Sequence, residues 1–156
     1  TLRSAVGRVI AVVRTEDGPN QERLRTVLEA QGCTVVRCSP DTPEGTGASI
    51  ACGVRASPDA AGWIIALADM PDIRAETIVA VRRALLRGAR CAAPFHEGRR
   101  GHPVGFGAAC GPALAALGGD QGARALLAQH APERVEVDDP GVLDDIDTPP
   151  DLHSVR

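Results

Sequence analysis

Lysine is missing from this chain of 156 residues: all 17 basic side chains are arginine. Chemistry that needs an ammonium on a flexible stem therefore cannot come from this segment, because a guanidinium is a planar fork rather than a compact point charge. A long apolar run is missing too. None approaches the ~18 residues of a membrane span, and no basic segment precedes an apolar core as in a secretory leader. No phosphate loop of the G-x-x-x-x-G-K-S/T type is present, and no Cys-x-x-Cys pair. The five cysteines (Cys33, Cys38, Cys52, Cys91, Cys110) are odd in number and scattered. They read as small thiols in a reducing compartment rather than a disulfide or zinc framework, so the expected location is the cytoplasm, away from any membrane. Excess positive charge is also lacking. The formal net charge of −3 argues against non-specific nucleic-acid binding. The chain opens on Thr1 rather than Met, which reads as a processed product or a part of a longer polypeptide.

With 44% hydrophobic and 24% charged residues the composition is that of a globular chain, long enough for one domain with its own core, and residues 1–156 are expected to form a single domain. Apolar runs at 9–13, 34–36 and 63–67 read as buried strands, with weaker ones at 90–93, 104–106 and 134–137. Between them lie helical patterns. Leu24, Val27 and Leu28 follow a turn at Asp17–Asn20; a short helix covers 49–56; Ile78, Val81 and Leu85 share a face that Gly88 ends; shorter stretches follow near 112–117 and 121–129. Alternation of this kind predicts βαβ units in an α/β fold, with 9–13, 34–37 and 63–67 as neighbours in a mostly parallel sheet. No internal repeat or low-complexity segment interrupts it.

The chemistry-bearing residues fall in five places. Trp63–Leu67 runs into Ala68-Asp69-Met70-Pro71, which delivers a carboxylate to the end of a strand, where open α/β sheets place ligands. Asp69 is either such a ligand or a cap for the helix after Pro71. The acidic segment Asp144-Asp145-Ile146-Asp147-Thr148-Pro149 lies far downstream. It is either a solvated turn or the second half of a hard-cation site. Carboxylates from two distant segments suit Mg²⁺ when phosphates fill its other positions. Gly98-Arg99-Arg100-Gly101-His102-Pro103 offers close backbone approach and two phosphate-binding cations, or simply a charged loop tip. Gly119-Asp120-Gln121-Gly122-Ala123-Arg124 reads as a helix start capped by Asp120, whose free N–H groups can hold an anion. Gly45-Thr46-Gly47-Ala48-Ser49 is a small-residue entry to a helix, open to a nucleobase or ribose, or only a connector.

In this order, over residues 9–152, these segments resemble the molybdenum-cofactor nucleotidyltransferases, MobA-like enzymes, and in particular their cytidylyl-transferring branch. The resemblance implies a Rossmann-like three-layer α/β nucleotidyltransferase fold. It implies transfer of CMP, or GMP, from CTP or GTP to the phosphate of a molybdopterin-type acceptor, with release of pyrophosphate. It implies Mg²⁺ held by Asp69 with Asp145 or Asp147, and Asp69 and Asp147 as the catalytic carboxylates. Nucleotide and acceptor would be held by Gly45, Thr46, Gly47 and Ser49, by Arg99, Arg100, Gly101 and His102, and by Gly119, Asp120, Gly122 and Arg124. A second reading is a non-catalytic nucleotide- or pterin-binding relative that hands cofactor to a molybdoenzyme or maturation chaperone. One departure is large. The family opens on a strand leading into L-A-A-G-x-S-x-R-M-G and a Lys, and none of this is present. The expectation is a chain incomplete at its N-terminus, weak or inactive as it stands, and short of one central strand.

Overall fold

The computed structural model describes residues 5–13, 19–39, 41 and 44–146. They form two compact units. One contains Ala5, Val6, 61–109 and 130–146; the other contains the described parts of 7–60, with 110–129.

The first unit is built on a five-stranded mixed sheet: β3 (Gly62–Ile65), β4 (Cys91–His96), β5 (Arg99–Arg100), β6 (Val104–Gly107) and β7 (Glu133–Glu136). β6 lies between β3 and β4 and is antiparallel to both, with Trp63 opposite Phe106 and Cys91 opposite the same Phe106. β7 runs parallel to β4, Ala92 to Glu133 through Phe95 to Glu136. The central strands are buried along their length, which explains why 91–94 and 104–106 carry small or apolar residues without alternation.

The helix Ala75–Leu86 (α3) covers this sheet through Thr77, Ile78, Val81 and Ala84. Its ends follow from local chemistry. Glu76 lies in the first turn, facing the positive end of the helix dipole. Gly88, at φ +101, turns the chain out, with Gly88 N–H bonded to Leu85 C=O at 2.9 Å and Ala89 N–H to Ala84 C=O at 3.1 Å. That is a Schellman closure, and it needs a residue without Cβ. Val81, Ala84 and Ala92 form one core cluster, joined by Ile64, Leu85 and Val135. Met70, Ile73 and Ile78 form another with Leu67 and Ile64.

The second unit carries a two-stranded parallel sheet, β1 (Ile10–Val13) and β2 (Thr34–Arg37), registered Ile10 to Thr34. The helix Pro19–Ala30 (α1) links them. Its apolar residues recur at helical spacing, yet none is buried, and Leu24 and Val27 are exposed. The helix Thr46–Arg55 (α2) buries Gly47, Ala48, Ala51 and Val54. Two short helices complete the unit, Gly111–Ala115 (α4) and Arg124–Gln129 (α5). No disulfide joins any of the five cysteines, and burial, then contact with Cys52, pushes the Cys38 thiol up to about 11.

The expectation of a mostly parallel sheet with β1, β2 and β3 as neighbours is corrected. β1 and β2 are parallel neighbours, but β3 belongs to the other sheet and pairs antiparallel with β6. The antiparallel course of β6 beside β3 and β4 follows from chain length. A parallel crossover needs a dozen or more residues. Between β4 and β6 there is only Glu97 to Pro103, part of it spent on the hairpin to β5.

Candidate active site

After β3 the chain leaves the sheet through Ala66, Leu67 and Ala68. Asp69 is exposed and Met70 is buried, so the hydrophobic anchor next door fixes the carboxylate outward. Asp69 also uses its backbone: its carbonyl accepts the N–H of Ile146 at 2.8 Å. That bond brings the acidic segment alongside Asp69, with the exposed Asp145 adjacent to the donor. Asp147 lies outside the described residues.

Arg99 and Arg100 form β5, a short return strand on β4, with Phe95 opposite Arg100 and His96 opposite Arg99. The two-residue turn Glu97-Gly98 has positive φ at both positions, 50° and 78°, the geometry of a tight hairpin. Both arginines are exposed, and alternation along a strand puts them on opposite faces. Arg100 is the one that acts on His102. Burial lowers the His102 pKa first, the Arg100 charge lowers it further, and Asp69 opposes both. Asp69, Arg100 and His102 therefore share one electrostatic neighbourhood, and the imidazole is held toward its neutral form. Its Nδ1 is buried and has no hydrogen-bond partner among the described residues.

Gly101 and His102 are fixed from below. His102 N–H donates to the Val142 carbonyl at 2.9 Å, and Gly101 N–H to the Pro94 carbonyl at 2.9 Å. A Cβ at Gly101 would come within 2.7 Å of the Val142 side chain, and its carbonyl would be closer still. The glycine therefore serves close packing of two backbones here. Sequence reasoning passed over Asp139. It is 2% exposed, and its Oδ2 accepts the Thr77 hydroxyl at 2.5 Å and the Arg74 N–H at 3.0 Å. Its partners lie 62 and 65 residues away, so no local pattern marks it.

In the second unit, the two small-residue segments read separately from the sequence pack on each other. A Cβ at Gly45 would lie 2.5 Å from Asp120 Oδ1, and one at Gly47 would lie 2.9 Å from the Gly118 and Gly119 carbonyls. Gly45 and Gly47 thus meet the backbone of Gly118 and Gly119, with the Asp120 carboxylate beside Gly45. Thr46 is exposed; the Ser49 hydroxyl points to the Gly45 carbonyl at 3.3 Å, a bond within its own helix. The expected helix start at Asp120 is corrected. Gly119–Gln121 is a single 3-10 turn, Gly122 breaks it at φ +51, and α5 begins only at Arg124. Asp120 is too far upstream to cap that helix, and six residues carry little of a helix dipole. Arg124 is exposed at its first position.

The comparison with known families then decides the matter. Residues 1–135 match the model of the MobA-like NTP transferase domain. The chain belongs to that family. A curated relative, the purine catabolism protein PucB of Bacillus subtilis (strain 168), is 36% identical over 121 residues, or 74% of this chain. The chain spans 58% of that relative's length. Among solved structures, Rv0371c of Mycobacterium tuberculosis H37Rv superposes with a TM-score of 0.75 at 22% identity, over 98% of this chain and 78% of that one. The same protein has been solved as a complex with manganese, at a TM-score of 0.72 and 21% identity, covering 98% and 79%. Molybdopterin-guanine dinucleotide biosynthesis protein A of Archaeoglobus fulgidus gives 0.60 at 17% identity, covering 92% and 75%. At these identities the likeness shows the fold: the α/β class of the MobA-like nucleotidyltransferases, here with a mixed sheet.

Among the described residues no helix is long and apolar enough to cross a membrane. No group of three or more His, Cys, Asp or Glu that could hold a metal ion occurs among them either.

Proposed function

We propose that this chain forms part of a divalent-cation-dependent nucleotidyltransferase that moves CMP, or GMP, from the triphosphate to the phosphate of a molybdopterin-type acceptor. The observation that carries the reading is the Ile146 N–H to Asp69 C=O bond. It ties a second acidic segment to the main chain of Asp69, whose carboxylate acts on His102 together with Arg100, in a chain of the MobA-like family. Both units belong, on this reading, to one nucleotidyltransferase domain, since the family model spans segments of each.

The donor chemistry fits a hard cation. Asp69 and Asp145 supply only oxygen, both are exposed, and two carboxylates leave positions for phosphate oxygens and water. Asp69 and Asp145, with Asp147 as further candidate, would hold Mg²⁺ or Mn²⁺. When bound, such an ion neutralises charge on the transferring phosphoryl group. The chain's own residues do the rest. Arg100 supplies an exposed guanidinium for the acceptor phosphate, a pairing that favours bidentate contact. Arg99, on the other face of β5, steers anions from further out. His102, held toward its neutral form, adds no full positive charge beside Arg100. An acceptor oxygen attacks the α-phosphorus, the bond from that phosphorus to the β-phosphate oxygen breaks, and pyrophosphate leaves. The Gly45–Ser49 and Gly119–Arg124 segments are proposed for the nucleotide, through backbone groups and Arg124.

The test is pyrophosphate release from each NTP, with phosphorylated pterin as acceptor, in the full polypeptide that carries this sequence. Activity with one pyrimidine or purine triphosphate supports the reading. Asp69→Ala should lower turnover about 100-fold or more without unfolding the protein, the usual scale for removing a main electrostatic group. Tight NTP binding without pyrophosphate release would favour the delivery module instead.

A further inference from the structure

The segment Asp138–Ile146 touches Asp69, Gly101 and His102 of the candidate site, and the start of α3. Asp138 offers its carbonyl to Arg74 Nη1 at 2.6 Å. Asp139 takes the Thr77 hydroxyl and the Arg74 N–H on one oxygen. Gly141 lies flat against the backbone of Asp72, where a Cβ would be 2.5 Å from the Asp72 carbonyl oxygen. Val142 accepts the His102 N–H, and Ile146 donates to Asp69. Three chain segments that are far apart in sequence are thus stitched together through nine residues.

Asp139 is the one charged side chain in that stitch that is buried, and stability alone is a poor account of it. A buried carboxylate costs several kcal/mol of desolvation, and a well-packed apolar residue often serves stability as well. Its Oδ1 is buried without a hydrogen bond among the described residues, and the Arg74 Nε stands 3.9 Å away. What the carboxylate does provide is direction. It binds the first turn of α3, just after the Asp69–Asp72 exit, to the turn that carries Val142 and Ile146.

We propose that Asp139 is a positioning residue: its buried carboxylate locks the 138–146 segment onto the start of α3 and so sets the separation of Asp69 and Asp145. The proposal rests on the reading of those two carboxylates as cation ligands. Asp139 touches neither substrate nor cation. It acts through the Ile146–Asp69 and His102–Val142 bonds.

The experiment uses the full chain with two readouts. Free Mn²⁺ is titrated by electron paramagnetic resonance, and amide hydrogen exchange is followed at Ile146 and His102. Five proteins are compared: wild type, Asp139→Ala, Asp139→Asn, Asp69→Asn as the reference for a lost ligand, and Phe106→Leu as a core variant of lowered stability away from the stitch. Asp139→Ala should weaken Mn²⁺ binding at least tenfold and lower protection of both amides at least tenfold. Asp139→Asn keeps an acceptor for Thr77 and Arg74 and should stay within about threefold of wild type in both. Phe106→Leu should melt earlier but bind Mn²⁺ like wild type. Wild-type affinity and protection in a folded Asp139→Ala protein would overturn the proposal, as would an equal loss in Phe106→Leu, since that would mark general loosening. If Asp139→Ala does not fold, Asp139→Asn decides: an affinity loss as large as that of Asp69→Asn would show that an acceptor oxygen alone does not hold the clamp, against the proposal. Wild-type protein that takes up no Mn²⁺ overturns the cation reading itself, and the exchange data then show separately whether Asp139 holds the two amides.

Discussion

The two compact units both use close glycine contacts, Gly101 and Gly141 in the first and Gly45 and Gly47 in the second, but differ in what is added to them. In the first, a buried charge is added: Asp139 gathers two donors and fixes one turn against the start of α3. In the second, the absence of side chains holds the segments. Gly45 and Gly47 let the start of α2 sit directly on the Gly118–Gly119 backbone, with no room for a methyl group. A side-chain clamp fails when one bond is removed; a glycine contact fails when one atom is added. The first is tuned in single hydrogen bonds, and the second is close to all or none. The largest effect should therefore come from the smallest chemical change in the second unit.

Gly45→Ala tests this. The new Cβ would overlap the Gly119 backbone, and φ is +129, a region that L-residues rarely adopt. The Asp120 carboxylate can turn aside, but the Gly119 atoms are main chain, so relief requires backbone movement. The cost should be about 3 kcal/mol or more, read from urea denaturation. Gly119→Ala sharpens the comparison. Its φ is +53, but nothing lies within 4 Å of the added atom. It should cost only the left-handed penalty, about 1–2 kcal/mol. Equal effects would mean that the close approach of the two segments contributes nothing.

Thr77→Val tests the other unit. Valine keeps the shape and removes the hydroxyl that donates to Asp139 at 2.5 Å. The buried carboxylate then keeps one donor on that oxygen. The loss should be about 2 kcal/mol, the range for hydrogen bonds to charged groups. Thr77→Ser, which restores the donor, should recover most of it. A harmless Thr77→Val would leave Asp139 without its side-chain partner's support and would weaken the case for a clamp.

The contrast also explains what could be read from sequence. Apolar runs marked the strands, and Ile78, Val81 and Gly88 marked the covering helix and its end, because these signals are local. The order of motifs was enough to recognise the family. The reversed direction of β6 was missed, although the seven residues of 97–103 were too few for a parallel return. Gly45, Gly47, Gly119 and Asp120 were noticed, but a glycine does not name what approaches it, so the contact between the two segments went unread. Asp139 was passed over because Thr77 and Arg74 lie more than sixty residues upstream. The paired backbones of Asp69 and Ile146 were anticipated only as carboxylates meeting. The bond that joins them belongs to the main chain, which no composition reports.

The smallest effect is an acid slope, and it belongs to His102. Burial and the Arg100 charge lower its pKa in the folded protein, with Asp69 opposing. In the unfolded chain the imidazole should titrate near the ordinary value of about 6.5. Between that value and the lowered folded one, the unfolded chain binds a proton that the folded chain does not. Stability therefore rises with pH across that window and is lost as pH falls through it. Above the unfolded value His102 contributes no slope. Replacing it by Asn should leave the stability gap to wild type constant at alkaline pH and move it in favour of the variant below about pH 6.5. Paired urea denaturations across that range measure it. A gap that stays flat, or moves toward wild type in acid, would show that the imidazole is not held neutral. Mn²⁺ adds a second arm. If the ion sits on Asp69, it cancels the one neighbour that raises the His102 pKa, so the window should extend to lower pH when the metal is present. An acid slope that ignores Mn²⁺ would separate His102 from the cation and place Asp69 outside the metal's reach.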